Sequence, residues 1–267
     1  MTPKDWSWLG FLTLGALGVW LRDRRWTSEA SDVLPALAGF PLMVWLGAPW
    51  RWQPGPFRLH TSALVVSALA AVIGSALGLT LLLAVAWTAA LWAWLQPRLA
   101  PADQTRIRRL LFLPFAAFPW IALDLQPLGW WFRLTGAGAT ELLYSGLGFD
   151  ITREGTHLLV AGMPIEVSAA CAGMNSLQSV LLAGVFFAYI HLGRTKAYSW
   201  NLLLLVPLAW LANTARIVTI TAAAITWGRD FAMGMFHTWG ALLVLFLMFA
   251  ACCAAFQWQA NFIARRA

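Results

Sequence analysis

The chain has 267 residues, 60% hydrophobic and 11% charged, with a mean hydropathy of +0.69 and a formal net charge of +7. A soluble domain carries roughly a quarter charged residues, so this composition excludes an ordinary soluble fold. The basic excess has to be tested as membrane orientation before any nucleic-acid partner is invoked.

In chain order, nearly charge-free runs cover residues 6–21, 33–50, 60–96, 110–123, 173–192, 198–228 and 236–256. A crossing helix needs about 20 apolar residues, so most of these runs predict single spans. The run 60–96 is too long for one and divides near Gly74 and Gly78, where a turn is expected. The fold class that follows is an all-α integral membrane helical bundle of about eight transmembrane helices. The first run ends in Arg22-Asp-Arg-Arg25 with no small-residue cleavage site, so it is expected to be a retained span.

Residues 1–125 carry almost no polar chemistry in their apolar runs and are expected to form N-terminal scaffold spans. Residues 126–267 form the expected catalytic region, an outer loop 126–170 followed by three spans, within one membrane domain. In that loop, 128–134 looks interfacial, with Trp130, Trp131 and Arg133. Residues 149–152, 156–160 and 164–168 look like short strands separated by turns at 153–155 and 161–162. They make a small extracytoplasmic β element before the sixth span, with His157 expected at its surface.

With both termini on the cytoplasmic side, the inner loops hold eleven basic residues against Asp5 and Asp103, and the outer loops six against nine acids. The positive-inside rule is satisfied, which makes the cell (inner or cytoplasmic) membrane the expected location and removes the need for nucleic acid. Tryptophans near run ends, such as Trp50, Trp52, Trp130 and Trp131, fit interfacial anchoring. Cys252 and Cys253 fall near the inner end of the last span and are expected to be packing residues. Cys171 falls at the outer end of the sixth span, too far from them for a disulfide.

Three polar residues from three spans reach one level. Cys171 opens the sixth span, Arg216 lies roughly 25 Å along the seventh, and His237 sits in the first turn of the eighth. An arginine within an apolar run is a functional signal by default. At a helix N-terminus the dipole favours a thiolate. An imidazole there can carry a proton to a leaving amine, and a guanidinium can stabilise an oxyanion. Asn213, three residues before Arg216, shares its helix face and is expected to orient the guanidinium. With no CxxC or HxxxH spacing, no metal site is expected.

Ala170-Cys-Ala-Gly173, Asn213-Thr-Ala-Arg216 and Phe236-His-Thr-Trp-Gly240 resemble, in this order, the three motifs of the exosortase/archaeosortase family. The resemblance covers about residues 140–258. It implies a membrane-embedded cysteine protease/transpeptidase with its site on the extracytoplasmic face and no cofactor. Cys171 would be the nucleophile, Arg216 the transition-state stabiliser and His237 the general acid/base. The implied partners are the lipid bilayer and secreted proteins whose C-terminus carries a signature motif, a membrane helix and a basic tail. Many members read Cys-Ser-Gly where this chain has Ala172, and carry a basic residue where it has Asn175, which leaves the signature and acceptor open. Glu166, Ser168 and Asn175 are further candidates for contact with the tail. Two other readings stand beside this one: a polytopic transporter with Arg216 and His237 on its path, and a non-catalytic envelope or exopolysaccharide assembly factor.

Overall fold

The computed structural model describes residues 2–28, 30–160, 162–166 and 174–266. It divides into two compact units, Met1–Asp124 with Gly193–Thr195, and Leu125–Leu192 with Lys196–Ala267. The first contains helices α1 (Pro3–Arg22), α2 (Ala30–Leu46), α3 (Thr61–Leu77), α4 (Thr80–Leu95), α5 (Pro101–Leu110), α6 (Phe112–Ala117) and α7 (Trp120–Asp124).

The run 60–96 does divide, into the α3–α4 hairpin. Gly78 closes α3 at φ +71° and donates its N–H to the Gly74 carbonyl, a left-handed cap that glycine adopts without strain. Gly74 also lets the helices touch, since a Cβ there would lie 2.9 Å from that of Leu82. Trp87 of α4 donates to the Leu12 carbonyl of α1 at 2.6 Å. At the far end of α4, Asp5 accepts from the Thr2 backbone and hydroxyl at 2.6 and 2.8 Å, from the Trp94 indole at 3.1 Å and from Arg98 at 2.5 Å. Burial alone would raise the Asp5 carboxyl, but these donors together hold it well below the usual carboxylate range.

Residues 110–123, expected as one span, are instead broken among the end of α5, α6 and α7. Pro119 lacks the N–H that would continue α6, and the chain is extended at Phe118 just before it. Residues 128–134, expected as an interfacial stretch outside the spans, belong to a 21-residue helix, α8 (Gln126–Gly146).

The second unit continues with strands β1 (Ile151–Glu154), β2 (His157–Val160) and β3 (Met163–Glu166), then α9 (Met174–Leu192), α10 (Ala197–Trp227), α11 (Arg229–Met233) and α12 (Met235–Ala264). The strands form an antiparallel sheet of order β1-β2-β3. The first expected turn shifts, because Arg153 and Glu154 complete β1 and Gly155 turns at φ +60°; Gly162 turns at +79°. Leu158 and Val160 are buried while His157 and Leu159 are exposed, the alternation of a one-faced sheet. That face joins Tyr144, Ile217, Ile220, Ala223 and Ala224 in one core, so the sheet is fixed to the C-terminal part of α10. Arg153 ties it to α8 through Glu141 at 2.9 Å.

Among the described residues, Thr80–Arg98, Ala197–Trp227 and Leu242–Ala264 are long and apolar enough to cross a membrane, and Leu37–Leu46, Thr61–Leu77 and Leu177–Leu192 are shorter apolar helices. Eight helices of full crossing length, as the run lengths suggested, are not found among them.

Candidate active site

The site region is organised by α9, α10 and α12, which pack on one another, with α8 along the side of α10. α9 and α10 form a hairpin through residues 193–196, so they run antiparallel, and α12 returns in the direction of α9. Two contacts fix their levels. Gly184 has no room for a Cβ against the fully buried side chain of Leu205, and the Cys253 thiol lies 3.5 Å from His191 Nε2.

Helix rise does the rest. Leu205 to Arg216 is eleven residues, roughly 16 Å, and Gly184 back to Met174 is ten, roughly 15 Å. Arg216 is therefore level with the first residues of α9. Cys253 back to His237 is sixteen residues, roughly 24 Å, and His191 back to Met174 is seventeen, roughly 26 Å. His237, third residue of α12, reaches the same level. Asn175, second residue of α9, is there by position. Glu166 ends β3 and pairs in register with His157. Cys171 and Ser168 fall in 167–173, outside the described residues.

Arg216 is half-buried, and its carbonyl accepts from the Thr219 hydroxyl at 2.9 Å. Asn213 is fully buried, and neither its amide nitrogen nor its oxygen has a hydrogen-bond partner among the described residues. It does not orient the guanidinium here. Its nitrogen lies instead where α8 crosses, 3.8 Å from the position a Cβ on Gly136 would take; the Ile217 side chain is 2.8 Å from that position. A buried amide without partners costs about 1–3 kcal/mol, so Asn213 is a reserve of hydrogen-bonding capacity one helical turn from Arg216.

The importance of α8 escaped the sequence reading. Trp210 of α10 donates to the Thr135 hydroxyl at 2.8 Å, and the Tyr144 hydroxyl to the Val218 carbonyl at 2.9 Å. These bonds run α8 parallel to α10 on both sides of the Arg216 level. The signal was the small-residue stretch Gly136-Ala-Gly-Ala-Thr140, which allows close helix approach. His191 with Cys253 was also missed, since nothing in the spacing links residues so far apart. Among the described residues no cluster of three or more His, Cys, Asp or Glu is arranged to hold a metal; Cys252 and Cys253 are free thiols.

Apolar helices of crossing length, a small sheet anchored on the longest of them and a polar level at one end of a helical hairpin define a multi-helix integral membrane protein. More narrowly, the chain belongs to the transmembrane exosortase family, a family of membrane-embedded sorting enzymes, which it matches over residues 4–256. No curated protein and no solved structure matches it.

Proposed function

We propose that the protein is a membrane-embedded cysteine peptidase or transpeptidase that cleaves C-terminal sorting tails of secreted proteins at the extracytoplasmic face. The observation that carries this reading is the common level of Arg216, His237 and the start of α9, which the chain enters three residues after Cys171. Family membership over most of the chain supports the same class.

In this mechanism the Cys171 thiolate attacks the carbonyl carbon of the scissile peptide. The S–C bond forms as the carbonyl π pair moves to oxygen, and Arg216 stabilises that oxyanion. Collapse expels the amine, which takes a proton from His237 and leaves a thioester on Cys171. Water, or a nucleophile on a surface acceptor, then attacks the thioester with His237 as base and restores the thiol. No cofactor enters. The sheet, held to α10 just beyond Arg216, ends at Glu166; with Ser168 two residues on in the chain and Asn175 second in α9, these are the candidates for contact with the tail. Both termini would face the cytoplasm of the cell membrane, where the basic loops are.

The test is co-expression with a tail-bearing secreted substrate. Cys171→Ala and Arg216→Ala should each abolish processing while full-length protein still accumulates in the membrane. Processing that survives Cys171→Ala would overturn the reading in favour of a non-catalytic assembly role.

A further inference from the structure

In the first unit, two cavities share a wall. The larger, ≈ 430 Å³, has the more polar lining of the two and includes His60, Ser62, Gln96, Thr105 and Arg108. The other, ≈ 310 Å³, is apolar and passes Val85, Thr88, Leu111, Phe112 and Phe115. Ala89 and Trp92 of α4 line both. The pair therefore follows one helix, from a polar end near Gln96 to an apolar end about 10 Å beyond Trp92 at Val85.

We propose that these joined cavities are a binding site for one anionic phospholipid with a hydroxyl-bearing headgroup, the phosphate in the polar part and an acyl chain in the apolar part. Neither half alone specifies this ligand. An ion or a soluble phosphate ester would leave the apolar part wet, and a hydrocarbon would leave the polar part unmatched.

The polar part is suited to such a headgroup. Arg108 is exposed, and the described ion pairs of this region use Arg51, Arg98 and Arg106 on Asp5 and Asp103, leaving the Arg108 charge outside them. His60 Nδ1 accepts from the Ala63 N–H at 3.5 Å, which leaves Nε2–H as a further donor. Gln96 Oε1 is buried and has no hydrogen-bond partner among the described residues. It is an acceptor, and once its side chain turns toward the cavity it takes a donor that a headgroup hydroxyl supplies and the lipid's phosphodiester does not. The placement also agrees, since Thr80–Arg98 is one of the helices fit to cross a membrane and arginines gather at its C-terminal end. A basic rim of that kind attracts anionic lipid.

The experiment is native mass spectrometry of the full-length protein in detergent, titrated with dioleoyl-phosphatidylglycerol, dioleoyl-phosphatidylcholine or inorganic phosphate. One phosphatidylglycerol should bind at least about five-fold more tightly than phosphatidylcholine, and Arg108→Gln should remove about that factor, the worth of one basic group beside an anionic lipid. Ala89→Trp, which fills the shared wall, should abolish the tight site, and phosphate should not compete at equal concentration. Equal binding of the two lipids, unchanged in Arg108→Gln, would overturn the proposal in favour of non-specific annular lipid. So would competition by phosphate alone, or tight phosphatidylglycerol binding that persists in Ala89→Trp. Arg108 is exposed and its loss is tolerable to the fold, so the headgroup half stays testable even if the Ala89 variant does not fold.

Discussion

Replacing Gly184 with alanine tests the register that brings Arg216 level with the start of α9. The new Cβ would lie 2.9 Å from Leu205 Cδ1 and 3.2 Å from its Cγ, and Leu205 is fully buried, so its side chain has nowhere to swing. Overpacking of this kind costs about 1–3 kcal/mol. Leu205→Ala alone should cost about 2–5 kcal/mol through the cavity it leaves. Together, the alanine methyl occupies space that the leucine vacated, and the double variant should be less destabilised than the sum by about 1 kcal/mol or more. The assay is thermal unfolding of the three variants in one detergent, followed by tryptophan fluorescence, with tail processing measured beside it. Processing should fall in both single variants and recover partly in the double. Strict additivity, within about 0.5 kcal/mol, would refute the contact and the register built on it.

Tyr144→Phe removes the hydroxyl bonded to the Val218 carbonyl and should cost about 1 kcal/mol, seen as a lower melting temperature. Asp5→Asn leaves the Arg98 guanidinium, only 11% exposed, without its carboxylate; loss of one partner of a buried pair costs about 3–5 kcal/mol, measurable by the same melt. Because the folded-state pKa of Asp5 is depressed, its stabilisation is present above the ordinary carboxylate pKa and lost as pH falls below that value. An acid titration of the wild type should therefore show a loss of stability that Asp5→Asn does not. In a Cys252→Ala/Cys253→Ala background, a short bismaleimide should bridge Cys171 to His237→Cys; in a Cys252→Ala background that keeps Cys253 and His237, Cys171 should not reach Cys253 at the other end of α12. Crosslinking would be read as a gel shift.

Where composition and local chemistry agree, the sequence was informative. A charge-free run too long for one helix had to turn, and Gly78 was available to do it. Turn residues near 153–155 and 161–162 marked short strands between residues 149 and 168, and His157, expected at the surface, is exposed on β2. Where tertiary packing decided, pattern was a poor guide. Residues 110–123 are apolar enough for a span, but Pro119 denies them a continuous helix. Residues 128–134 carry Arg133 and two tryptophans and so resemble an interface; what the pattern did not show is that they belong to α8, which Gly136, Ala137 and Thr140 bring against α10. Asn213 shares a face with Arg216, as its spacing requires, but the approach of Gly136 on α8 determines what surrounds its amide. Trp87 and Trp94, invisible as anything but apolar residues in a span, bond to α1. Counting residues gives depth along a helix, but not which neighbour a side chain meets there.

The most direct test of the central claim is the reactivity of Cys171. In the Cys252→Ala/Cys253→Ala background, its alkylation by a membrane-impermeant reagent should be followed against pH, with and without His237→Ala and Arg216→Ala. An activated nucleophile at the outer face should label from outside with an apparent pKa below ~8.5, the value of an ordinary thiol, and that pKa should rise when His237 is lost. A Cys171 that stays unreactive from outside across the titration, and indifferent to both substitutions, would contradict the account.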